Sequence, residues 1–231
     1  MRAVNRSFYT GIPRHTWELT ASNINSSKSM DQLSRVQEPA IIAPNLEILA
    51  IEHCPVTRFH ADTKLPQLKK LSLSSRSLTA LQARSLIKNM LPKSPALEDL
   101  SFASCSQLEQ VLVDPGDLPA LRRLDLSGCP KLCRVHVTSK LLEYLDLSRN
   151  DNLQYVLLDL ERMVDLDLSF LKNLTHLYIR SVTCPNLQYV VLQGTTLKID
   201  YFNRDEVIDE VFALPESTDL LPMDITNIPV Q

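Results

Sequence analysis

The chain has 231 residues, 24 basic and 27 acidic, for a formal net charge of -3, and 44% of its residues are apolar. That length suits one domain with enough apolar matter for a continuous core, and the balanced charge argues against a general binder of nucleic acid or anionic membrane. Four glycines against fourteen prolines speak against Gly-rich phosphate loops and for turns bounded by proline.

In chain order, residues 1–43 read as an N-terminal cap, with Phe8 and Trp17 as apolar anchors and a polar loop from Ser22 to Ser34. The opening MRAVNRSFYTGIPRHTWEL lacks an apolar core segment, so no cleaved secretory signal is expected. No apolar run approaches the ~18 to 20 residues that a membrane span needs.

From residue 44 to 199 the sequence repeats itself. Four seventeen-residue segments align without gaps: LEDLSFASCSQLEQVLV from Leu97, LRRLDLSGCPKLCRVHV from Leu121, LEYLDLSRNDNLQYVLL from Leu142 and MVDLDLSFLKNLTHLYI from Met163. Each approximates L-x-x-L-x-L-x-x-[C/N/L]-x-x-L-x-x-V-x-V. Shorter matches start at Leu46, Leu68 and Leu187, and the seven starts lie 22, 29, 24, 21, 21 and 24 residues apart. Leu124 and Leu126 alternate with Asp125 and Ser127, which is the two-residue period of a strand and not the 3.6-residue period of a helix. Leu132, Val135 and Val137 continue the alternation and predict a short second strand on the far side of the coil.

The long repeat from Leu68 predicts a helix. Thr79 caps it, Ala83, Leu86, Ile87 and Met90 share one face, and Pro92 stops it. Residues 200–231 carry a short amphipathic capping helix over 205–213 and an extended tail.

These segments resemble the leucine-rich-repeat family over residues 44–199. The resemblance implies an α/β solenoid, an arc of about seven coils with a parallel sheet on the concave face, few helices and short second strands behind. One such repeat cannot bury its apolar face alone, so stability comes from stacking on neighbours. Cys54, Cys105, Cys129 and Asn150 fall where the family places Asn or Cys, a small inward side chain that hydrogen-bonds backbone in the turn.

No metal or cofactor is expected. Cys129 and Cys133 have no matching Cys or His pair, and His15, His53, His60, His136 and His176 are scattered. The odd count of five cysteines suits reduced thiols in a cytoplasmic setting. Nucleophile elbows, phosphate loops and metalloprotease signatures are absent. Cys184 and His53 are where an unrecognised catalytic site would be sought, but the expectation is that this is not an enzyme.

The remaining signal is surface. Aligned coils put Ala50, Ser72, Ser101, Asp125, Asp146, Asp167 and Val191 in one exposed column, with Tyr144 and Tyr189 in another and Phe170 close by. Asp125, Asp146, Asp167, Tyr144 and Phe170 form the centre of the expected binding face, and Arg123, Arg149, Asp165, Tyr189 and Asp99 surround it. Stacked aspartates suit a cationic partner surface, and exposed aromatic residues beside charge suit binding hot spots. The plainer alternative is that Leu-Asp-Leu-Ser is repeat filler with solvated aspartates. On the far side Leu112, Tyr155, Leu157 and Tyr178 point outward and need a cover.

The expected function is recognition of a protein partner by a monomeric inhibitor or adaptor that binds neither nucleic acid nor membrane. Short, irregular leucine-rich-repeat chains without a signal peptide are similar to the translocated effectors of Legionella-type bacteria. That likeness implies a host protein, or another effector's enzyme, as the partner, and delivery into a host cytosol. The Cys-bearing repeats also resemble substrate-recognition subunits of ubiquitin ligases, the alternative function.

Overall fold

A strand that alternates leucine with polar residues can bury its leucines only by stacking on neighbours of the same pattern. The computed structural model shows such a stack, and it describes residues 17–22, 44–52, 65–179, 184–195 and 198–200. Three strands open the front face: β1 (Glu18–Ser22), β2 (Ile48–Glu52) and β3 (Lys70–Ser74). Front and back strands then alternate. β4 (Asp99–Ser101), β6 (Arg123–Asp125), β8 (Tyr144–Asp146), β10 (Asp165–Asp167) and β12 (Tyr189–Val191) lie in front. Behind them lie β5 (Gln110–Val113), β7 (Arg134–Ser139), β9 (Tyr155–Leu160), β11 (His176–Ile179) and β13 (Lys198–Asp200).

All pairings are parallel. The back sheet runs β5-β7-β9-β11-β13 without interruption, whereas the front runs β1-β2-β3-β4-β6-β8 and resumes as a separate pair, β10-β12. The register reproduces the expected column: Ala50, Ser72, Ser101, Asp125 and Asp146 stand opposite one another, as do Asp167 and Val191. Between them the inward residues Leu73, Phe102, Leu126, Leu147 and Leu168 are buried in one continuous core.

One feature departs from the sequence reading, and the far-side patch has the cover it was expected to need. Strand β1 sets Leu19 opposite Leu49, so the front sheet begins one strand before the first repeat at Leu46. The far-side patch is covered: Leu112 and Leu157 are buried, with Tyr155 and Tyr178 packed against them. Phe8, the loop beyond Ser22, Cys54, His15, His53, His60, the capping helix over 205–213 and the tail lie outside the described residues.

The helix forms as its signals predict. Thr79 and Gln82 make a reciprocal capping box at the start of α1 (Ala80–Ser85). The chain then widens into a π-helical turn over Leu86–Met90 and tightens over Leu91–Lys93, where Pro92 ends it. Ala83, Leu86, Ile87 and Met90 are all buried. Lys88 reaches Asp114 at 2.7 Å and Asp117 at 2.9 Å, which ties this segment to the loop after β5. No helix among the described residues is long and apolar enough to cross a membrane.

A ladder of small polar side chains links the turns after the front strands. Cys105 Sγ accepts the Ser75 N–H at 3.4 Å and donates to Leu73 O at 3.3 Å. Cys129 Sγ donates to Phe102 O at 3.2 Å. Asn150 makes the fullest rung: its Oδ1 accepts the Cys129 N–H at 2.8 Å, and its Nδ2 donates to Leu126 O at 3.0 Å and Leu147 O at 2.8 Å. The next position is Leu171, which has no polar atom to offer.

The front sheet opens at that same place. Among the described residues no backbone hydrogen bond joins β8 to β10, although β9 and β11 stay paired behind them. Leu145 is 7% exposed where its neighbour Leu124 is fully buried.

Asn150→Ala is expected to lower stability by about 3 kcal/mol, because it strands one buried N–H and two carbonyls together. Thermal unfolding read by circular dichroism measures this. A loss below about 1 kcal/mol would mean that the rung is not structural.

Candidate functional site

Each front strand from β4 onward ends in a turn that needs one residue with a left-handed backbone. Ser104 (φ 60°), Gly128 (φ 66°), Arg149 (φ 60°), Phe170 (φ 62°) and Gly194 (φ 76°) occupy that position. The aspartate two residues before the turn's serine holds the chain as it leaves the strand, in the manner of an Asx turn. Asp125 Oδ1 accepts the Ser127 N–H at 2.9 Å, Asp146 Oδ1 the Ser148 N–H at 2.9 Å and Asp167 Oδ1 the Ser169 N–H at 2.8 Å. The repeated Asp-x-Ser therefore has a structural task.

The second carboxylate oxygens differ along the column. Asp125 Oδ2 accepts from Ser101 Oγ at 3.1 Å, and Asp146 Oδ2 from the Tyr144 hydroxyl at 3.3 Å. The Asp146 charge raises the Tyr144 phenol above its ordinary pKa, so that hydroxyl stays a donor. The Ser169 hydroxyl and N–H hold the Asp167 carboxyl below the usual carboxylate value, which keeps it ionised at physiological pH.

Where the front sheet opens, a groove of about 1080 Å³ runs across β8, β10 and β12. Tyr144, Val164, Phe170 and Val191 are its exposed apolar lining, while Glu143, Asp146, Asp165 and Asp167 are its acids. Arg162 is the one cation among the described lining residues, and it stands 3.7 Å from Glu143, which also holds Arg122 at 2.7 Å. Asp146, Asp165 and Asp167 meet no cation among the described residues.

Of the residues expected at the binding face, five share this groove: Tyr144, Asp146, Asp165, Asp167 and Phe170. Tyr189 stands on β12 directly opposite Asp165 and is exposed beside the groove. Arg149 lies exposed on the rim turn. Asp125 and Arg123 lie on β6 and Asp99 on β4, outside the groove lining. The Arg123–Asp99 contact, at 3.9 Å and largely exposed, contributes little.

Sequence reasoning passed over Val164 and Arg162. Val164 had a readable signal: it occupies a column otherwise filled by Glu47, Lys69, Glu98, Arg122, Glu143 and Gln188.

Phe170 is the most unusual residue of the set. A bulky side chain at positive φ is disfavoured by about 1–2 kcal/mol, yet its ring is 62% exposed to solvent. The ring rests against Gly194, where an added Cβ would lie 3.1 Å from Phe170 Cδ1.

The described cysteines read as structural. Burial pushes the thiols of Cys105 and Cys129 up to about 11 and about 12, and it raises Cys133. Cys184 Sγ accepts the Leu160 N–H at 3.1 Å and donates to Leu158 O at 3.4 Å. Among the described residues no three His, Cys, Asp or Glu side chains are grouped to hold a metal ion.

No protein-family model matches the chain. The disease resistance protein RPS4B of Arabidopsis thaliana is 28% identical over 210 residues, covering 74% of this chain. The chain spans 17% of that relative's length. The repeat pattern, the solenoid and this likeness together fit a protein of leucine-rich-repeat type.

Phe170→Gly relieves the left-handed backbone strain and is expected to leave stability unchanged or raise it by up to about 1 kcal/mol. Thermal midpoints of the two proteins test this. A drop of several degrees would mean that the ring supports the fold instead of serving the surface.

Proposed function

We propose that this solenoid is a non-enzymatic protein-recognition module that binds a protein partner through the groove at the C-terminal end of its front face. One observation carries the reading. Of the seven large apolar side chains exposed among the described residues, Tyr144, Val164, Phe170, Tyr189 and Val191 cluster on β8, β10 and β12 and their turns. Exposed aromatic residues beside charge are the usual composition of binding hot spots, and a stacked solenoid holds them on a rigid scaffold. Asp146, Asp165 and Asp167 add orientation and association rate toward a cationic surface more than raw affinity.

In its finer form the reading makes the protein an inhibitor or adaptor, monomeric by itself and active in a reducing cytoplasm. The partner is then a host protein of a translocated effector, or an enzyme that the solenoid blocks. The likeness to part of a disease resistance protein supports a recognition role. The raised thiol pKa values of Cys105 and Cys129 support a structural, non-nucleophilic role for these two cysteines.

Affinity capture with wild type, with a Tyr144→Ala, Phe170→Gly double variant and with Leu81→Ala tests the proposal. Leu81 is exposed on α1, away from the groove. The partner is expected to bind wild type and Leu81→Ala equally and to lose about 2 kcal/mol per removed anchor in the double variant. A partner indifferent to the double variant would refute the groove as the binding face.

A further inference from the structure

Among the described residues the front sheet is interrupted between β8 and β10, inside the groove, and this leaves two strand edges facing each other. In a parallel sheet each strand offers N–H and C=O groups to both neighbours. On β8 the groups that face β6 are bonded. Glu143 and Tyr144 donate to Arg122 O at 2.8 and 3.0 Å, and Asp146 O accepts the Leu126 N–H at 2.9 Å. The opposite edge of β8 bonds no strand among the described residues.

The other bank of the groove mirrors this. Val164 O accepts the Gln188 N–H at 2.9 Å and the Leu168 N–H reaches Val191 O at 2.9 Å, both toward β12. Among the described residues the edge of β10 that faces β8 bonds no strand either. Open edges are templates for an added chain, and these two border a volume of about 1080 Å³.

The lining narrows the occupant. An extended segment aligned with the sheet points alternate side chains inward and outward. Inward ones would meet Leu145 and Leu171, and outward ones would meet the carboxylates of Asp146, Asp165 and Asp167. Those carboxylates stand on both banks and pair with no cation among the described residues. A helix could fill the volume but would leave both edges unbonded.

We infer that the groove takes an extended segment of the partner in which Lys or Arg alternates with apolar residues, paired through its backbone with the open edges of β8 and β10. This rests on the proposed recognition role and deepens it by naming the form and charge of what is bound.

The test selects ten-residue random peptides on the intact chain and measures the best of them by fluorescence anisotropy. The selected peptides are expected to alternate basic with apolar residues. They should lose at least ten-fold in affinity when alternate backbone amides are N-methylated in the edge-facing register. The same loss is expected against an Asp165→Lys, Asp167→Lys variant, and bound peptide should slow hydrogen exchange at the Leu145 and Leu147 amides. Acidic selections, full affinity after N-methylation or a library without binders would each overturn the inference. Those three outcomes leave the recognition role standing if partner capture still depends on Tyr144 and Phe170. Loss of that dependence while basic strand peptides bind would instead overturn the groove as the partner's binding face.

Discussion

The stacking of the middle coils depends on hydrogen-bonded rungs at Cys105, Cys129 and Asn150. Stacked leucines supply most of the stabilising burial, but burial is non-directional and tolerates sliding. Directional bonding comes from the parallel backbone ladders of both sheets and, inside the turns, from Cys105, Cys129 and Asn150, which tie one turn to the next through the core. At Leu171 the apolar stack continues, since Leu168, Leu171 and Leu174 are all buried. The rung is missing there, and the front strands part while the back strands hold. A groove thus arises without any loss of core.

The turns themselves carry a second constraint. Their left-handed residue is glycine at Gly128 and Gly194, where no side chain suffers, but arginine at Arg149 and phenylalanine at Phe170. Strain of this kind persists where the surrounding structure fixes it, and it clusters at functional surfaces. The strained Phe170 and the open edge coincide at the same coil. The earlier front strands show a plainer face, with Ala50, Ser72 and Ser101 in the column that later carries aspartates.

The back sheet keeps the two halves in one solenoid. Continuous pairing from β5 to β13 spans the level at which the front opens. Its outer surface is knitted by side chains: Arg134 lies 5.6 Å over Tyr155, and Tyr155 stacks on His176 at 4.8 Å. A front that opens against a back that stays closed frames the groove with a continuous sheet behind it.

Periodicity in the sequence determined which side of the chain each residue takes. The two-residue alternation of Leu124 and Leu126 placed Asp125, Asp146 and Asp167 on the exposed face. Thr79, Gln82 and Pro92 bounded the helical segment because capping and proline chemistry are local. Strand β1 was hidden because Thr16 stands where a repeat would begin with leucine.

Tertiary structure alone decided how neighbouring coils meet. The pattern treats Leu171 as equivalent to Cys105, Cys129 and Asn150, since all are compact inward residues, yet only a polar side chain makes a rung. The groove and the covering of Leu112 and Leu157 follow from contacts between segments more than twenty residues apart, whereas the task of the aspartates in their turns is local, each accepting the N–H two residues on. Periodicity fixes the direction of a side chain, but distance and hydrogen bonding between coils are set only when the chain has stacked.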